Sequence, residues 1–294
     1  MIPGTEHSAH SDAIIFRSCI RLCIPLSILL LTVLTLPAGA SNDNFKAGAR
    51  AAATGGVGVI QPDLWSLWHN QAGLGFYTFT AVGIHHENRY LVPEFAFSSI
   101  GITLPTSSGT FGISWSHFGY PRYHENKIGL ALGKSFHQRF AAGLQINYLS
   151  VFIDDELGRS GTVAIEAGIM AELLENLWLG FHVYNPTASR HRKLDRELIP
   201  VIMRLGLGYQ FDDRLFLGME TEKDLNIGKP LYRAGIEYRL IDYIYVRTGL
   251  SVQEYVQHSF GLGFSMQNFQ ADLAFSFQQI LGYTPYLSLR YVFK

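Results

Sequence analysis

In the C-terminal half, Arg204, Arg233, Glu237, Arg239, Arg247 and Arg290 sit at alternate positions of otherwise apolar segments, with Glu166, Glu220, Glu222 and Asp272 available as partners. Charges withdrawn from water are rarely left unpaired. The row therefore forms either a salt-bridged polar core or a selective, water-filled lumen that binds a substrate. Other candidate chemistry is thinner. His85 and His86 could join His117 or His124 as metal ligands, but ligation needs convergent geometry that spacing does not supply, and solvated loop histidines are the plainer reading. Asp154, Asp155 and Glu156 could hold calcium or form a polar loop tip. Ser114, Ser116 and His117 hint at a hydrolase. Adjacent strand residues point to opposite faces, however, and no acidic orienter accompanies them. No enzyme, metal or cofactor is expected.

These residues must be positioned by strands. From about residue 76 to residue 293, some fourteen segments of roughly ten residues alternate apolar and polar side chains between turn signals. Tyr232, Ala234, Ile236 and Tyr238 form one face, and Arg233, Gly235, Glu237 and Arg239 the other. Ile244, Val246, Thr248 and Leu250 oppose Tyr245, Arg247, Gly249 and Ser251. Phe269, Ala271, Leu273, Phe275 and Phe277 oppose Gln270, Asp272, Ala274, Ser276 and Gln278. A soluble sandwich alternates too, but its strands usually run about five or six residues. These fill the nine to eleven or so that a tilted strand needs to cross hydrocarbon. The fold class expected is all-β: a transmembrane antiparallel β-barrel of about 14 strands.

Composition agrees. Charged residues make up 16% of the chain and aromatics 13%, and no apolar run downstream of residue 40 approaches a spanning helix. A net charge of -1 gives no footprint for nucleic acid.

Arg17 and Arg21 precede an apolar run over residues 24–36, and Ala38-Gly39-Ala40 supplies a small-residue cleavage site. Residues 1–40 are expected to be a signal peptide with Ser41 first in the mature chain, rather than a membrane anchor. The leading region is long and fits a start downstream of Met1. Cys19 and Cys23 both fall inside it, so the mature chain lacks cysteine.

Tight connections are expected at His137-Gln138, Leu174-Glu175-Asn176, Asp212-Asp213, Ile241-Asp242 and Gln267-Asn268, and longer ones over residues 85–93, 118–125, 154–160, 185–199 and 223–229. Short turns face the periplasm in such barrels and long loops face outward. In the last strand Leu287, Leu289, Tyr291 and Phe293 share a face, with Ser288, Arg290 and Val292 opposite.

Residues 41–75 are of another kind, ahead of the barrel at 76–294. A glycine- and alanine-rich run over 48–58 is followed by Pro62, Asp63, Trp65, Trp68 and Asn70, then Gln71, Ala72, Gly73 and Leu74. No Gly-Lys-Ser/Thr is present, so this is no phosphate loop. One or two helical turns should start at Pro62. At Arg50, Gly55, Gly56, Asp63, Trp65, Asn70, Ala72, Gly73 and Leu74 the chain resembles the FadL-like superfamily of fourteen-strand barrels, in particular its PorV/PorQ branch associated with type IX secretion. Gln71 stands where that branch usually has proline. Tyr291 and Phe293 resemble the terminal signal that outer-membrane assembly machinery recognises, with Lys294 following.

The resemblance implies a barrel in the outer membrane of a Gram-negative bacterium whose N-terminal segment plugs the lumen as a hatch, formed by Arg50, Gly55, Gly56, Asp63, Trp65, Trp68, Asn70, Gly73 and Leu74. Members include transporters of hydrophobic compounds and secretion subunits that hold exported proteins. Two function classes follow, and the branch resemblance favours the second: a channel for a small hydrophobic or amphipathic molecule, or an interaction subunit with a secretion or surface protein as partner. Arg190, Arg192, Lys193 and Arg196, with His191, make the longest outer loop basic, which fits either a merely soluble loop or a contact for an acidic partner or anionic surface glycolipid. If Phe293 lies on the lipid face of the closing strand, Phe293→Ala should lower the yield of membrane-inserted barrel several-fold more than Lys294→Ala. Equal yields on heat-modifiability gels would contradict that placement.

Overall fold

A computed structural model describes residues 44–154, 158–190 and 199–293. Among these, fourteen strands form a closed antiparallel barrel: β1 (Thr80–Asn88), β2 (Ala96–Thr106), β3 (Gly109–Tyr120), β4 (Tyr123–Phe136), β5 (Phe140–Ile153), β6 (Gly158–Leu174) and β7 (Leu177–Tyr184). The rest are β8 (Ile202–Phe211), β9 (Leu215–Asp224), β10 (Leu231–Ile241), β11 (Ile244–Val252), β12 (Val256–Met266), β13 (Phe269–Gln278) and β14 (Gly282–Phe293). β1 closes on β14, with Ala81 opposite Val292 and Glu87 opposite Tyr286. Closure leaves no unpaired edge, the condition for backbone to lie in hydrocarbon. Among the described residues no helix is long and apolar enough to cross a membrane.

The faces alternate as the sequence pattern requires. Leu273 is 50% exposed, whereas Ala274 is wholly buried. Ile236 and Tyr238 point out while Arg233 and Glu237 are buried within. The outer wall is a belt of leucine, isoleucine, valine and phenylalanine. Near the short-turn end it carries Phe136, Phe140, Tyr209, Phe211, Tyr238, Phe264, Tyr291 and Phe293, the aromatic girdle typical of a membrane interface.

All five tight connections lie at that end, which also holds the start of β1 and the end of β14. At the other end the expected loops shorten. β1 continues through His85–His86 to Asn88 before two 3₁₀ turns over residues 89–95, and residues 118–125 form a hairpin whose turn is just Pro121-Arg122. In both places cross-strand pairing of polar residues extends the strand beyond the first of them, His85 against Ser288 and His117 against Asn126.

The N-terminal segment lies inside the wall. It forms two short helices, α1 (Ala49–Ala53) and α2 (Ser66–His69), and a 3₁₀ turn over Gln71–Gly75. Ile60 and Leu64 of the α1–α2 connection, Leu67 and Trp68 of α2 and Leu74 of the 3₁₀ turn are all essentially inaccessible to solvent. α2 starts four residues after Pro62, because Asp63 accepts from the Trp65 amide and Ser66 bonds the Gln61 carbonyl, holding 61–65 in a turn. The alanine run forms α1, which the sequence pattern missed. Gly55 and Gly56, at φ of 72° and 90°, reverse the chain after it.

What lets so much chain fit is a ring of inward glycines. Each strand from β1 to β12 presents one where a Cβ would strike the segment: Gly83 meets Leu64, Gly112 meets Leu67, Gly168 meets Asn70, Gly208 meets Ile60, Gly235 meets Thr54 and Gly261 meets Ala53. Gly208, Gly218, Gly235 and Gly249 are directly paired across four adjacent strands. On β13 the small residue is Ala274, packed on Ala49 and Ala53, and on β14 Ser288 accepts from the Ala49 amide at 2.7 Å. Ala274 therefore faces the segment and not an aqueous lumen, so an arginine there would meet a helix. A Cβ at Gly249 would overlap the backbone of Thr54 and Gly55. Gly249→Val should expel the segment and expose residues 50–68 to trypsin, while the outward Thr248→Val should not. Unchanged protection in Gly249→Val would contradict the close fit.

Candidate functional site: a plugged lumen with a cavity on each side

Three polar networks tie the segment to the wall. In the first, Arg50 of α1 donates to both oxygens of Glu237 at 2.8 and 2.7 Å and lies 3.4 Å from Asp63. Arg247 donates to the same Glu237 at 2.5 Å and to Asp272 at 2.7 Å. Two guanidiniums thus face three carboxylates, and the two-point geometry fixes Arg50 in direction as well as position.

In the second, Arg233 bridges Glu220 at 3.0 Å and Glu222 at 3.1 Å, Arg204 reaches Glu222 at 2.9 Å, and Lys46 reaches it at 2.5 Å. Glu220 also accepts the Gly58 and Val59 amides. Here three cations meet two carboxylates. Burial, aided by Arg204 and Arg233, pulls the Lys46 ammonium down to about 7, which relieves the excess. Buried His69, at 2.9 Å from the Ala47 carbonyl, is held neutral with its pKa lowered to about 3, chiefly by loss of water.

The third network centres on Glu166, fully buried in β6. Lys127 donates to it at 2.5 Å, Asn147 at 2.9 Å, and the Gln71 amide at 3.0 Å, with His182 at 3.0 Å. The Gln71 side chain thus supplies a bond from the segment to the wall. Beside it, Asn70 accepts from Ala72 at 3.1 Å and donates to the Val59 and Ile169 carbonyls at 2.9 and 3.1 Å. Trp68 donates its indole N–H to Ser116 at 2.7 Å, which gives that serine a packing partner.

The structure therefore brings Arg50, Asp63, Glu237, Arg247 and Asp272 together, and separately Arg204 and Arg233. Trp65, Trp68, Asn70, Gly73 and Leu74 line one face of the segment, and Gly55 and Gly56 abut Leu250 and Arg233. Arg239 and Arg290 point inward on the short-turn side of these groups. Lys46, Lys127 and His182 escaped sequence reasoning, and Gln71 stood out as a departure from a motif with no partner assigned; alternation could have placed Lys127 and His182, but nothing local marks Lys46. His85 faces in, bonded to Ser288 at 2.9 Å, and His86 faces out, bonded to Ser98, so the pair cannot converge. The His117 and His124 rings lie 5.6 Å apart, tilted by 35°. Arg190 is exposed. Arg192, Lys193, Arg196, Asp155 and Glu156 lie outside the described residues, as does the proposed signal peptide.

α1 separates two cavities. The one on the long-loop side, of about 250 Å³, is lined by Phe45, Lys46, Ala51, Ala52, Glu87, Arg89, Glu222, Leu231 and Tyr286, so apolar and charged groups share it. The one on the short-turn side, of about 360 Å³, is lined by Arg50, Gln210, Arg214, Glu237, Arg239, Tyr245, Arg247, Gln270 and Arg290 among others.

No protein-family model matches the sequence. A search of curated proteins found no relative. Solved structures do share the fold. The CymD monoaromatic hydrocarbon channel superposes with a TM-score of 0.66 at 11% identity, over 86% of this chain and 99% of CymD. A Pseudomonas aeruginosa FadL homologue gives 0.64 at 13%, over 85% and 99%. The Ralstonia pickettii toluene transporter TbuX gives 0.65 at 9%, over 84% and 98%. The barrel thus has the architecture of FadL-type outer-membrane channels. The narrower PorV/PorQ likeness rests on the motif residues alone.

Breaking one partner of a buried ion pair typically costs about 3–5 kcal/mol, because the other is left uncompensated. Glu166→Ala should show a loss of that order in urea unfolding in detergent, and the pair Glu166→Gln with Lys127→Met should recover most of it. A neutral Glu166→Ala would mean that the network adds nothing.

Proposed function

We propose that the protein is an outer-membrane channel of a Gram-negative bacterium that passes a small hydrophobic or amphipathic molecule through a lumen gated by its own N-terminal segment. The observation that carries this reading is the partition itself. A five-residue helix, α1, stands between cavities of about 250 and 360 Å³, held by contacts that can break: one two-point ion pair, small-residue packing and a serine hydroxyl. The similar structures support it, since those proteins bear the names of hydrocarbon channels and toluene transporters.

The outer cavity suits an amphipathic solute. Phe45, Ala51, Ala52 and Tyr286 would cover an apolar body, while Lys46 and Arg89 lie where a polar end would rest. Passage requires α1 to swing off β13 and β14, which means parting Arg50 from Glu237. Arg247 stays on Glu237 when that happens, so the carboxylate is not abandoned. In this reading the protein catalyses no reaction, and its standing partners are outer-membrane lipid and the assembly machinery that inserts it.

A second reading, an interaction subunit of the PorV/PorQ kind, draws on the tightness of the plug, whose residues meet small wall residues around the whole barrel. A subunit that only holds a partner has no need to open. Planar-bilayer recording separates the two. Deleting residues 45–75 should raise single-channel conductance several-fold, and Arg50→Ala should raise the frequency of openings. If both leave conductance unchanged while a Gly/Ser replacement of residues 188–196 abolishes co-purification of a protein partner, the interaction reading replaces the channel.

A further inference from the structure

The cavity on the short-turn side has more cationic than anionic wall. Of its five arginines, Arg50 and Arg247 are matched by Glu237, with Asp63 and Asp272 behind them. Arg214, Arg239 and Arg290 are not. Among the described residues none of the three has a carboxylate within ion-pair distance, although Asp213 lies on the same rim. Among the described residues Arg239 and Arg214 make no side-chain hydrogen bond, and their backbones are tied together by the Arg239 amide and the Arg214 carbonyl at 2.7 Å, which keeps the two residues neighbours. Arg290 donates to Gln270 and lies over the Tyr77 ring at 5.6 Å, yet its buried Nε has no partner.

Guanidinium cannot shed its proton to escape this crowding. Three unmatched cations facing one half-enclosed space raise its potential and draw in an anion. The hydroxyls beside them, on Tyr245 and Ser265, can donate to the oxygens, and about 360 Å³ is within the roughly 300–1,000 Å³ of small-molecule sites. We infer that this cavity is a binding site for an oxyanion, the phosphate or carboxylate group of a small molecule, seated between Arg214, Arg239 and Arg290 on the periplasmic side of the plug. The site stands on its own walls and does not depend on whether α1 opens.

Calorimetric titration of the detergent-purified full barrel at constant ionic strength, chloride being replaced by the ligand, tests it with two probes, inorganic phosphate and octanoate. Saturable one-to-one binding is expected with at least one, weakened tenfold or more by Arg239→Gln and by Arg290→Gln. Arg139→Gln, a turn arginine near Glu172 and outside the cavity, should bind as the parent does. Phosphate alone would assign the site to free oxyanions, and octanoate would assign it to the head of an amphiphile; both support it. Absence of saturable binding by either probe, or binding equally strong in Arg239→Gln and Arg290→Gln barrels that remain heat-modifiable, would overturn it.

Discussion

Close approach between the wall and the N-terminal segment governs this structure. A fourteen-strand barrel encloses more space than its own inward side chains fill, and an unfilled, dry lumen would forfeit dispersion contacts on every side. Here inward positions carry hydrogen instead of a side chain at one level of twelve consecutive strands, and the segment supplies the missing atoms. Glycine inside a strand costs stability and commonly marks the approach of another backbone. Repeated on neighbouring strands at paired positions, it marks a whole surface moulded to a second piece of chain. Burying Ile60, Leu64, Leu67, Trp68 and Leu74 returns roughly 1.5–3 kcal/mol for each large side chain.

The ion pairs do a different job. Apolar packing is indifferent to direction, whereas Arg50 on Glu237, Glu220 on the Gly58 and Val59 amides, and Gln71 on Glu166 each fix one point of the segment to one strand. Together they set its register on the wall. Charge is nearly balanced in each network, and the remaining excess lies on the short-turn side, at Arg214, Arg239 and Arg290. Over β13 and β14 the segment is held by small side chains and a few polar points, so the proposed passage would require local release there and not the dismantling of the whole segment.

Most of the barrel was legible in the sequence because strand geometry is local: period-two alternation places Leu273 out and Asp272 in whatever the rest of the chain does. The same logic put Arg233, Glu237 and Arg247 on one face. Pairing between them was not legible, since it depends on register between strands and on Arg50, 187 residues away from Glu237. What Ala274 faces was not legible for the same reason: a small inward residue looks alike whether it meets water or a helix. Loop lengths were overestimated at residues 118–125 because polar residues there are paired across a hairpin. The glycines were visible as abundance alone, and their meaning required the segment that fills them.

In the proposed function α1 both closes the lumen and moves. The sequence has cysteine at positions 19 and 23 alone, ahead of the described residues, so a disulfide can be placed at will in the mature barrel. Ala53 of α1 and Ala274 of β13 share one buried cluster, and the variant Ala53→Cys with Ala274→Cys can be recorded in planar bilayers before and after reduction. Openings that are absent in the oxidised protein and appear on adding reductant are the predicted result. Recordings with the same openings in both states would contradict it.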